Sequence, residues 1–101
     1  MKKLSKTKAV SDARQYVSIT GIGNNWTLYK PYNNDDLDGA TTSLRFTSRK
    51  SAILYKNCAI AIIAAKMLGY SDDYMLSIDY AAYSGKGNTA AELLNYASMN
   101  A

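Results

Sequence analysis

Several short constellations carry residue types that could do chemistry. Asn34-Asp35-Asp36-Leu37-Asp38-Gly39 sets side-chain oxygens at alternate positions with a glycine at the turn, as in the first half of a calcium loop. The bidentate glutamate that would complete it falls at position 45, which is Arg45, so the stretch reads as an acidic surface turn. Ser84-Gly85-Lys86-Gly87-Asn88 has the flavour of a phosphate loop. However, Gly87 stands where a serine or threonine should hold magnesium, and Tyr80 stands where the first glycine should be. Ser5-Lys6-Thr7-Lys8 holds a serine–lysine spacing used by some acylases, but on a terminal segment. The chain has no histidine and one cysteine, Cys58. That excludes Ser-His and Cys-His nucleophilic pairs, histidine general bases, and both the histidine-containing and cysteine-rich zinc sites. Cys58 lies in the apolar run Cys58-Ala59-Ile60-Ala61-Ile62-Ile63 and reads as a small buried hydrophobe. The expectation is a binding protein, not an enzyme, with no cofactor and no metal.

The residues suited to binding are basic and aromatic. Net charge is +4, unevenly placed: residues 1–56 hold ten Lys/Arg against four Asp/Glu, and residues 57–101 hold two against four. The positive field belongs to the first half and points to an acidic partner, whether protein or nucleic acid. Nine tyrosines against one phenylalanine and one tryptophan place many rings at the rim of a core or at an interface, because a tyrosine hydroxyl needs a partner or water.

These residues need elements to position them. Lys6 to Gln15 carries Ala9, Val10 and Ala13 at helical spacing. Tyr16-Val17-Ser18-Ile19-Thr20 and Trp26-Thr27-Leu28-Tyr29-Lys30 alternate about Gly21-Ile22-Gly23-Asn24-Asn25, which predicts a hairpin, and Ser43 to Thr47 supplies a third strand. Ser48 is an N-cap for a long helix from Arg49 to Leu68, closed by Gly69. That helix is apolar on two sides, so the sheet should cover one side and the C-terminal helices the other, with Ile62 among the buried residues. Ser71 should cap a third helix, and Thr89-Ala90-Ala91-Glu92 is a capping box for a fourth. The predicted fold is a single α+β domain over residues 1–101, in the order αβββααα, with a three-stranded antiparallel sheet packed on a long central helix. Strand parity puts Val17, Ile19, Trp26, Leu28, Leu44 and Phe46 inside, and leaves Tyr16, Tyr29 and Arg45 on a wet outer face among hydroxyls.

Ser48-Arg49-Lys50-Ser51-Ala52 puts cations on the first turn of a helix, where backbone N–H groups can meet phosphate. With the order helix–strand–strand–strand–helix, this pentapeptide resembles the double-stranded-RNA-binding domain, whose last helix opens with a similar serine–lysine–lysine stretch. The likeness spans residues 5–68 in topology and only the pentapeptide in sequence. The family's glycine before that stretch is replaced by Phe46-Thr47, and its histidine-bearing hairpin loop is absent. A second likeness is to small uncharacterised proteins of phages and prophages. It rests on Trp26-Thr27-Leu28-Tyr29-Lys30-Pro31-Tyr32, a polar loop, and Phe46-Thr47-Ser48 leading into an Ala-rich helix that ends in Met67-Leu68-Gly69. This resemblance implies an accessory protein that docks on a host protein or nucleoprotein complex and inhibits it, in the manner of an anti-CRISPR protein. The contact surfaces would be the outer sheet face and the C-terminal Tyr70, Tyr74, Tyr80 and Tyr83. The alternative is direct nucleic-acid binding by Arg45, Arg49, Lys50 and Lys56, with Tyr16 and Tyr29 as stacking platforms. The basic start Met1-Lys2-Lys3 has no apolar run behind it and does not read as a signal peptide, and no segment is long and apolar enough to span a membrane. With a single cysteine, the cytoplasm is the expected compartment.

Overall fold

Ser5 opens the first helix by accepting a hydrogen bond from the Lys8 amide on its hydroxyl, at 3.1 Å. In the computed structural model, which describes residues 4–100, that helix (α1, Lys6–Ala13) buries Ala9, Val10 and Ala13, the three residues its periodicity singled out. Residues 1–3 of the basic N-terminal stretch, and Ala101, lie outside the described residues. The helix then tightens into a 3-10 turn, Arg14–Tyr16, before the sheet begins.

The sheet has three antiparallel strands in sequence order, β1 (Ser18–Ile22), β2 (Asn25–Pro31) and β3 (Thr41–Phe46), with β2 central. Ile22 pairs with Asn25, so the hairpin closes on two residues, Gly23 and Asn24. Gly23 has φ +62° and Asn24 does not share that sign, which fits a turn whose first central position needs glycine. The expected parity holds: Leu28 is fully buried and Ile19, Trp26, Leu44 and Phe46 are half-buried, while Ser18, Tyr29, Ser43 and Arg45 are exposed. Tyr16 is the exception. Strand β1 starts two residues later than the alternation of β-formers suggested, because the α1 helix runs on into the 3-10 turn, where the Val17 amide bonds the Arg14 carbonyl at 3.4 Å. Tyr16 is therefore half-buried against the core and not on the sheet face.

Ser48 caps α2 (Arg49–Met67) through the Ser51 amide at 3.1 Å. Gly69, at φ +80°, ends it while the Tyr70 amide reaches back to the Ala65 carbonyl. Helices α3 (Asp73–Tyr83) and α4 (Ala90–Asn100) follow. Asp72, not Ser71, occupies the cap position of α3, and no side chain makes a cap bond there. The capping box of α4 is formed: Thr89 Oγ1 accepts from the Glu92 amide at 3.2 Å, and Glu92 Oε1 accepts from the Thr89 amide at 3.3 Å. The order is αβββααα, an α+β fold in which α2 packs against the sheet on one side and against α1, α3 and α4 elsewhere. Burial along α2 follows: Ile60, Ala61, Ile63 and Ala64 are essentially inaccessible. Ile62 is only half-buried, since it faces a cleft and not the core centre. Among the described residues, no helix is long and apolar enough to cross a membrane.

Candidate functional surface

Register arranges the outer sheet face in rows. Ser18, Tyr29 and Ser43 lie side by side across the three strands, and Thr20, Thr27 and Arg45 form the next row. Tyr29 is 44% exposed and Ile22 is 83% exposed. Of the two tyrosines expected here only Tyr29 is present, so Tyr16 and Tyr29 do not form a paired stacking platform.

The four cations do not share one plane. Arg45 stands on the outer sheet face, whereas Arg49 and Lys50 are exposed on the first turn of α2 and Lys56 is half-buried further along it. Arg49 has a definite seat, its guanidinium carbon 5.8 Å from the centre of the Trp26 ring. Trp26 is fixed in turn by its indole N–H, which donates to the Gly23 carbonyl at 2.8 Å, and by Gly21 opposite it in the register. A Cβ on Gly21 would lie 2.7 Å from Trp26 Cδ2, so only glycine lets the ring settle there. Two cations on a helix's first turn oppose its dipole, at a cost of ~0.3–1 kcal/mol each, so their placement does not serve the stability of α2.

A cleft lies where β3, α2 and α3 meet. Phe46, Ser51, Leu54, Tyr55, Cys58 and Tyr83 enclose about 250 Å³, and the Phe46 and Tyr55 rings approach at 5.4 Å with a 47° tilt. From Tyr83 an apolar stripe continues along the outside of α3 through Tyr80 and Leu76, which are three and seven residues back and share one helix face. Leu76 is 73% exposed, Tyr80 57% and Tyr83 71%. Tyr70 and Tyr74 contribute nothing to this surface, because they are half-buried and pack on each other at 4.3 Å. The cleft was missed in the sequence, although the spacing of Leu76, Tyr80 and Tyr83 could have announced the stripe.

A second cavity of about 180 Å³ shares Tyr55 and Cys58 with the first and adds Lys30, Asn34, Ile62 and Asp79. Lys30 follows the inward parity of β2, and its ammonium donates to the Pro31 carbonyl at 3.1 Å. Burial pushes the Cys58 thiol up to about 12, helped by the neighbouring Asp79 charge and by the hydrogen bond Cys58 Sγ donates to Asp79 Oδ1 at 3.7 Å. A thiol held protonated is a poor nucleophile.

The other chemistry-bearing constellations have structural roles. Asp35, from the calcium-like turn, accepts from Lys66 Nζ at 2.8 Å, and the same ammonium reaches Asp72 at 3.2 Å. Those two bonds hold the Lys66 proton above its ordinary range. Ser84 to Asn88 joins α3 to α4, and no strand precedes it. Lys6 donates to Ser98 at 2.8 Å, tying α1 to α4. Among the described residues, no three Cys, Asp or Glu side chains converge as metal ligands would.

Comparison with protein-family models, with curated proteins and with solved structures found nothing that matches this chain.

Proposed function

We propose that this chain is a non-catalytic binding protein, a phage-type accessory protein that acts in the cytoplasm by docking on a host protein or nucleoprotein complex and inhibiting it. The observation that carries this reading is the exposed apolar stripe Leu76–Tyr80–Tyr83 running into the aromatic cleft of Phe46 and Tyr55. Leaving a leucine and two tyrosines in water on one helix face forgoes burial worth ~25 cal/mol per Å², and an exposed stripe of this kind is what a protein partner covers. Tyrosine also anchors interfaces well.

Direct nucleic-acid binding is the second reading, favoured by one feature. No Asp or Glu occurs from Gly39 to Ser71, a stretch that holds Arg45, Arg49, Lys50 and Lys56. The two readings part in one experiment. Immobilised chain is offered host lysate with and without nuclease, in parallel with Leu76→Asp/Tyr80→Ala and Arg49→Ala/Lys50→Ala variants, and a labelled duplex is titrated at several salt concentrations. Docking on protein requires capture that survives nuclease and is lost with the α3 changes. Tight duplex binding with a log–log salt slope near −0.9 per phosphate contact, flattened by about two in the Arg49/Lys50 variant, would overturn it in favour of nucleic acid.

A further inference from the structure

The smaller cavity is lined by two opposite charges that do not meet, and it is independent of the docking surface above. We infer that this cavity, between β2, α2 and α3, binds a small zwitterion: an α-amino acid with a short apolar side chain. The ligand's carboxylate lies against Lys30 and its ammonium against Asp79.

The elements place these groups in one space. Lys30 shares the inward face of β2 with Trp26 and Leu28, and it lines the cavity itself. Helix α2 adds Tyr55, Ala59 and Ile62, four and then three residues apart on one face. Met75 and Asp79, four apart on α3, close the opposite side.

Charge is the first restriction. Lys30 and Asp79 are both half-buried, and no ion pair joins them or ties either to another described residue. Lys30 Nζ donates to the adjacent Pro31 carbonyl at 3.1 Å, and Asp79 accepts one long bond from Cys58 Sγ at 3.7 Å. An ammonium has more donors, and a carboxylate more acceptor sites, than these single bonds use. Drawing two such charges partly out of water without pairing them is unfavourable, and a group lying between them removes that cost. Asn34 lines the same cavity, and its Oδ1 is buried with no hydrogen-bond partner among the described residues, so a donor is missing beside it. A ligand with an anion at one end and N–H donors at the other answers all three groups. A ligand with a single charge leaves Lys30 or Asp79 unmatched.

Size is the second restriction. At about 180 Å³ the cavity is close to the ~150 Å³ void that accepts benzene, and well below the ~300–1,000 Å³ of sites for larger molecules. It admits about six to nine non-hydrogen atoms, the range from alanine to valine and proline. Ala59, Ile62 and Met75 give the short side chain an apolar wall. A nucleotide or a sugar phosphate is too large to enter.

The test is calorimetric titration of the purified chain with each common amino acid in turn, with propionate and ethylamine as single-charge controls. A small apolar amino acid should bind saturably, and both controls should bind at least tenfold more weakly, because each forfeits a charge-assisted hydrogen bond. Lys30→Met and Asp79→Asn should each weaken binding tenfold or more. Ile62→Phe, which extends one wall into the cavity, should abolish it, and Lys86→Met, on the α3–α4 connection, should leave it unchanged. Circular dichroism confirms that each variant folds. In the unaltered chain the amide resonances of Lys30, Ile62 and Asp79 should shift on titration, which reads the site even where a variant fails to fold. No saturable binding of any amino acid at millimolar concentration would overturn the inference and leave the cavity to water. Equal binding of propionate or ethylamine, undiminished binding by folded Lys30→Met or Asp79→Asn, or shifts confined to other residues would overturn it too.

Discussion

Ile62 and Ile63 are neighbours in sequence with identical side chains, and the fold gives them different environments. Ile63 has no accessible surface, whereas Ile62 is half-buried and lines the 180 Å³ cavity beside Lys30. Changing Ile63 to alanine removes three carbons from a closed core, about 2.4 kcal/mol of transfer free energy at ~0.8 kcal/mol per carbon. The space left behind adds ~24 cal/mol per Å³ wherever the walls cannot collapse, which brings the expected loss to about 3–4 kcal/mol. At Ile62 up to about a third of the side chain already meets water, so the transfer loss falls to about 1.6 kcal/mol, with little cavity term because the space is already open. The contrast should therefore be about 1.5 kcal/mol or more. Urea denaturation of both alanine variants, followed by circular dichroism with a common slope, measures it directly. In thermal melts the same contrast should separate the midpoints by roughly 6 °C or more for a chain of this size. Equal losses at the two positions would refute the burial assigned to α2. A larger loss at Ile62 would mean that the helix is rotated from the orientation described.

Gly21→Ala should expel the Trp26 ring from its seat over the strand, red-shifting the fluorescence of this lone tryptophan, because the new Cβ would lie 2.7 Å from both Trp26 Cα and Cδ2. An unchanged spectrum would contradict the packing of Trp26. Thr89→Ala removes one half of a formed capping box and should cost about 1 kcal/mol in urea denaturation, with no effect on the cleft. The Cys58 thiol, raised in the folded state from its ordinary 9.0 to about 12, should resist alkylation at neutral pH until the chain is unfolded. The unfolded chain loses that proton at lower pH than the folded one, so the contribution is complete below about pH 9 and is lost as pH rises towards 12. Between those limits the stability of the unaltered chain should fall more steeply than that of Cys58→Ala, and parallel curves would refute the assignment.

What was legible in the sequence was what short-range chemistry decides. The Ser48 cap, the Gly69 stop and the Thr89–Glu92 capping box each satisfy backbone groups a few residues away, and each occurs as read. The parity of the strands was legible because one face must be buried. The start of β1 was not, because Tyr16 and Val17 favour strands by type while the helical chain ahead of them carries on for one more turn. Gly21 and Ile22 read as turn residues for the opposite reason. A glycine signals a bend by type, whereas Gly21 clears space beneath Trp26. The cleft brings together Phe46, Tyr55 and Tyr83 from three elements, and no local pattern encodes that apposition. The exposed residues of α3 were legible in spacing but not in exposure, since Leu76 by type alone belongs in a core.

The ends of α2 explain how a basic chain carries eight acids without cancelling its own positive field. The helix is about 28 Å long, and the charges are sorted along it. Arg49 and Lys50 stand at its first turn, with Arg45 on the strand that leads into it. Asp35 and Asp72 gather at its last turn around Lys66. Opposite charges separated by that distance lie well beyond a Debye length of ~8 Å, so in physiological salt the acidic end barely weakens the field at the basic one. Lys66, held protonated by its two carboxylates, also neutralises much of the acidic end locally. Around the first turn of α2 the chain thus presents a locally positive surface, while its net charge stays at a modest +4. A modest net charge limits unspecific adhesion to nucleic acid, and a concentrated local field at the first turn of α2 still favours the approach of acidic groups there.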